Sequence, residues 1–157
     1  MYGAILEKGE EYYTFLEGIF SSINGEQNNY NWLLTDVFAN PSNQIITDLL
    51  SKDFCWISGE KLTEIIAKEN FQWIWGVLSG FEKSIDRDQV LKYPLPLADG
   101  YEGFWNNPVS LQHPLATIEI VAFDSSLTLI MSKNQELIDN FRESFPLSEN
   151  LEVYNES

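Results

Sequence analysis

Cysteine and histidine are scarce, with one of each in 157 residues. A lone Cys55 excludes an intramolecular disulfide. Together with His113 it cannot supply the nitrogen and sulfur donors of an ordinary zinc site. Positive charge is equally thin: 9 Lys and Arg stand against 24 Asp and Glu, a formal net charge of −15. Nucleic acid is held by cations that displace its counterions, so no direct nucleic-acid partner is expected, and anionic membrane surfaces are disfavoured for the same reason. No run approaches the roughly 20 apolar residues of a membrane-spanning helix. Glu7, Lys8, Glu10 and Glu11 leave the N-terminal stretch without the apolar core of a signal peptide. These absences point to a cytoplasmic protein with no cofactor and no metal.

Sequence motifs for chemistry are missing as well. Neither glycine-rich phosphate cradle occurs. In Gly76-Val77-Leu78-Ser79-Gly80 the glycine follows the serine one position too early for a nucleophile elbow. Asp86-Arg87-Asp88 begins like a calcium loop, yet Val90 and Leu91 stand where ligands or the turn should be.

Apolar and aromatic residues are plentiful. Hydrophobic residues make up 44% of the chain, and five Trp, seven Tyr and ten Phe are present. Strongly acidic chains often fail to fold because they cannot bury enough apolar surface. Here enough exists for one core, so the charge is expected on the outside of a single folded domain over residues 1–157.

Pattern reading gives an α+β domain with a mostly antiparallel or mixed sheet of five or six strands and helices packed on it. Tyr2–Glu7 reads as a strand. Tyr12, Phe15, Leu16, Ile19 and Phe20 recur at helical spacing from Glu10 to Ser22, ended by Asn24-Gly25. Tyr30–Phe38 and Phe54–Ile57 read as strands, and Gln44–Leu50 as a short helix. Ser58 caps a helix reaching Lys68. Phe71–Leu78, apolar on both sides, predicts a central strand with Trp73 and Trp75 on one face, as core. One or two helical turns are expected within Asp86–Tyr93. Tyr93–Pro114, with four prolines and two glycines, is a long irregular segment. Ala116–Phe123 and Leu127–Ser132 form a hairpin around Asp124-Ser125-Ser126, and Asn134–Phe145 forms a helix stopped by Pro146. Residues 148–157 read as a flexible acidic tail. Phe54, Trp56 and Ile57 around Cys55 mark a buried, inert thiol, and His113 reads as a turn or loop-edge residue beside Pro114.

The candidate partner-binding residues are Asp99, Tyr101, Glu102, Phe104, Trp105, Glu119 and Asp124. The three rings either form an exposed cluster of interface anchors or fold back as a plug over the sheet. Asp99 and Glu102 could alternatively act as the paired carboxylates of a carbohydrate-active site. Glu119 interrupts an apolar strand. It reads either as the solvated outer face of an edge strand or as an acidic spot receiving a partner's basic residue.

Tyr30-Asn31-Trp32, and the run from Ile118-Glu119-Ile120 through Leu127-Thr128-Leu129-Ile130 to Phe145-Pro146, resemble small acidic bacterial proteins of uncharacterised families and immunity proteins of toxin systems. Asn24-Gly25 after the first amphipathic helix is similar to the immunity superfamily named for a yeast cell-wall regulator. The resemblance implies a non-enzymatic intracellular bacterial binding protein, an immunity-type inhibitor of a basic toxin. The alternative is an accessory or regulatory domain without a toxin. A basic protein is the expected partner.

Overall fold

A computed structural model describes residues 1–157. Its strands are β1 Tyr2–Leu6, β2 Tyr30–Ala39, β3 Phe54–Ser58, β4 Trp73–Glu82, β5 Ile118–Phe123, β6 Leu127–Ser132 and β7 Glu149–Asn150. They form one antiparallel sheet in the order β3-β2-β4-β5-β6-β1-β7. The helices are α1 Leu16–Ser22, α2 Gln44–Leu50, α3 Gly59–Lys68, α4 Arg87–Val90, α5 Gln135–Ser144 and α6 Leu151–Glu156. The chain is thus α+β, with seven strands instead of five or six, and no helix is long and apolar enough to cross a membrane.

Alternation along the strands builds a core on each face of the sheet. Leu34, Leu78, Ile120 and Ile130 point to the layer of α1, α2, α3 and α5, whose inward residues include Ile19, Ile46, Ile66 and Phe141. Their neighbours Val77, Val121, Leu129 and Ile5 point the other way and are covered by the irregular segment and by Leu151 of α6. Helix ends follow the capping signals. Asn43, Ser58 and Asn134 each accept a backbone N–H of their helix, and Asp86 with Gln89 closes a capping box on the single turn of α4. Gly80 is required where β4 meets β5, since a Cβ there would sit 2.6 Å from Ile118 Cγ2 and 3.2 Å from the Trp32 ring.

Four local expectations are corrected. The first helix starts at Leu16, since Thr14 has φ +58 and Phe15 bridges to Gln72. Thr14 holds this left-handed conformation while its Oγ1 meets Thr128 Oγ1 at 2.9 Å and Trp73 N donates to its carbonyl. Second, Trp73 and Trp75 lie on opposite faces. Between Phe38 and Ala39, β2 advances one residue while β4 advances two, and this bulge turns Trp73 toward the helices and Trp75 away from them. Third, Glu119 is no edge-strand residue, because β5 is the middle strand of the sheet and Glu119 is fully buried. Fourth, the acidic tail is folded: Glu149 and Asn150 pair with Ile5 and Ala4, and α6 buries Leu151 completely.

Candidate protein-binding face

The irregular segment is held in place by polar groups, half-buried at Asp36 and Gln112 and fully buried at Glu119 and His113. Asp36 occupies a second bulge of β2 with φ +51, where Asp and Asn are among the better tolerated side chains. Its carboxylate accepts from Ala98 N at 2.9 Å and Asp99 N at 3.1 Å. Gln112 closes a two-bond pair with Leu97, accepting from Leu97 N and donating to Leu97 O.

Glu119, under the segment, accepts from Ser79 Oγ at 2.7 Å, from His113 N at 3.2 Å and from Gln112 N. Burial pushes its carboxyl up to about 7, and the three donors only partly oppose that. His113 is buried too. Its Nε2–H donates to Val90 O while Nδ1 accepts from Leu115 N, which fixes the neutral tautomer. Loss of hydration lowers its pKa. Both side chains are therefore internal anchors of the segment, and the expectation that Glu119 meets a partner's basic residue is set aside by its burial.

Above these anchors runs a row of rings. Phe38 on β2 is the cross-strand partner of Trp75 on β4, and Phe38 is 56% exposed. Trp75 meets Phe123 edge-on at 4.7 Å, Phe123 meets Trp105 at 5.4 Å, and Trp105 meets Tyr154 of α6 at 6.3 Å. Trp75, Phe123, Trp105 and Tyr154 are half-buried and pack against the core on this side of the sheet. Phe104 lies beneath Trp105 and Tyr101, fully packed. Burial first, and the Glu119 carboxylate second, push the Tyr101 phenol up. Helix α6 is fastened by Asn155 Nδ2 donating to Phe104 O and by Asn107 Nδ2 donating to Glu152 O.

Asp99, Glu102 and Asp124 are exposed on the segments that carry Tyr101, Trp105 and Phe123, and Glu152 and Glu156 are exposed on α6 with Tyr154. No Lys or Arg occurs between Lys92 and Lys133, or after Arg142. The face therefore pairs half-open rings with an uncompensated acidic border. Of the seven candidate residues, Asp99, Tyr101, Glu102, Trp105 and Asp124 reach it, while Phe104 and Glu119 support it from below. Of the loop rings, Phe104 folds back onto the sheet while Tyr101 and Trp105 stay half-buried. Sequence reasoning missed Phe38, Trp75, Phe123, Tyr154 and the acids of α6. Leu151 and Tyr154 at helical spacing were the available signal, masked by the acids around them.

Asp99 and Glu102 line none of the principal surface clefts, which lie around the helices, the β3 edge and the chain near Gly9 and Phe145. No protein-family model, curated protein or solved structure matches this chain.

Proposed function

We propose that this protein is a non-enzymatic protein-binding domain of the immunity type, which neutralises a basic bacterial toxin by covering its active cleft. The observation that carries the reading is the row of half-buried rings bordered by Asp99, Glu102, Asp124, Glu152 and Glu156 with no cation among them. A toxin that acts on nucleic acid has to present positive charge to phosphate, and an acidic protein surface satisfies the same charge. The acids accelerate the encounter, and Trp105, Trp75 and Phe38 supply the desolvated contacts that slow dissociation. The anchors below, Asp36, Gln112 and Glu119, keep the rings in place before the partner arrives, which lowers the ordering cost of binding.

Affinity capture from bacterial lysate at low and raised salt tests this reading, with Trp105→Ala and the double variant Asp99→Lys/Glu102→Lys in parallel. The expected result is a basic protein retained by the wild type, released by salt, lost by both variants, and inhibited in a nuclease assay by the wild type alone. Retention that ignores salt and both variants would sink the proposal.

A further inference from the structure

The helical layer, on the opposite face of the sheet, carries a surface of inverted character. A groove of about 360 Å³ runs between α2 and α3. Its apolar side chains are Ile45, Ile46, Leu49 and Ile65, and three lysines, Lys52, Lys61 and Lys68, stand along it with one acid, Asp48. Ile45 is 79% exposed, more than any other large apolar side chain of the protein. It is one turn from Leu49, so the two form a stripe on α2. On α3, Lys61 and Lys68 are seven residues apart, about 10 Å along the axis, with Ile65 between them on the same face.

The walls of this groove are joined. Glu69, just past α3, accepts from Ser42 N at 2.7 Å and Asn43 N at 2.9 Å, at the entry to α2. The lysines are also available. Lys52 and Lys68 form no ion pair, and Lys61 meets only Glu64 on its own helix, at 3.4 Å with both side chains largely exposed. Three of the nine cations of a −15 chain thus surround one apolar stripe.

We propose that the groove between α2 and α3 docks an acidic amphipathic helix of a partner protein. The apolar face of that helix, at i, i+3, i+4 and i+7 spacing, lies on Ile45, Leu49 and Ile65, and its flanking Glu or Asp residues meet Lys61, Lys68 and Lys52. Charge complementarity selects this occupant. The chain as a whole carries a net charge of −15, so an acidic segment is favoured where three lysines outnumber the lining acid Asp48. Cations spread over two helical turns suit several carboxylates in a row, whereas a single fatty-acid headgroup engages one end of an open groove. A second copy of the chain brings another fifteen negative charges and is disfavoured. This site is independent of the aromatic face, and either can fail without the other.

The test uses a labelled helical peptide of about 14 residues, long enough for roughly four turns, with leucines at the stated spacing and glutamates beside them. Controls are a scrambled peptide of the same composition and one with lysines in place of the glutamates. Fluorescence polarisation is expected to give saturable micromolar binding that weakens with salt. Ile45→Asp, and Lys52→Glu/Lys68→Glu, should each weaken it by about tenfold or more. Lysine acetylation of the wild-type protein provides a reading without substitutions, and the peptide should protect Lys52 and Lys68 while leaving Lys8 and Lys133 unchanged. Equal binding of the control peptides, no saturation below about 1 mM, or no protection overturns the proposal. So does stoichiometric binding of dodecanoate that displaces the peptide, which assigns the groove to a lipid. A sedimenting dimer abolished by Ile45→Asp overturns it in favour of a second copy.

Discussion

At the scale of single residues, Glu119 and His113 are neighbours with opposed titrations. The Glu119 carboxyl, raised from 4.5 to about 7, contributes stability that is complete below its unfolded value and is lost as pH rises through about 7. That span corresponds to about 3 kcal/mol. His113, lowered from 6.5, contributes in the other sense: its stability is present above 6.5 and is lost as pH falls through the folded value. Where both titrate below 6.5 the two trends oppose each other, and above it the wild type should lose stability as pH rises through about 7. Glu119→Gln removes the alkaline loss, and its unfolding free energy should keep rising toward neutral pH, with a constant penalty for the hydrogen bond its amide cannot accept. Urea titrations across about pH 5 to pH 8 would show this. Parallel profiles for wild type and variant would refute the assignment.

At the scale of elements, α6 couples the end of the chain to the aromatic face. Leu151 is buried against Gly3 and Val109, Tyr154 touches Trp105, and Asn155 binds the loop backbone. Ending the chain after Ser148 should uncover Trp105, shift its fluorescence to the red, and lower stability by about 2 kcal/mol for the lost Leu151 burial alone. An unchanged emission spectrum would show that α6 does not organise the face. The strands β1 to β6 and the helices α2, α3 and α5 were legible because their periodicity and caps agree, as at Ser58 and Asn134. Three features were not. The two bulges between β2 and β4 change register around Gly76, the one glycine beside Trp75 and the available signal, but a lone strand glycine does not say which way the register shifts, so the separation of Trp73 from Trp75 was not legible. A carboxylate fully buried mid-sheet reads locally like a solvated one, because its partners Ser79, Gln112 and His113 lie elsewhere in the chain. β7 and α6 are acidic and short, and only the site they pack into stabilises them.

At the scale of the whole molecule, charge works against the fold. Only two ion pairs are formed, Lys61–Glu64 and Lys83–Glu60, both exposed and worth little. The remaining acids repel one another across the surface, so screening should stabilise the protein. The melting temperature is expected to rise when chloride salt is added from low ionic strength, while binding of a basic partner weakens over the same range. A melting temperature that falls with salt would indicate that attractive pairs dominate. Five of the seven candidate residues singled out in the sequence lie in one loop, which Asp36, Gln112 and the buried Glu119 hold in place.

The position of β1 has a consequence in time. Within this sheet β1 comes first in chain order, while its two hydrogen-bonding neighbours, β6 and β7, come last. Its buried residues Ala4, Ile5 and Leu6 therefore have no native strand to pair with while most of the protein is being made. Sheet closure must await the synthesis of β6 and β7, and the nascent chain carries an open apolar strand until then.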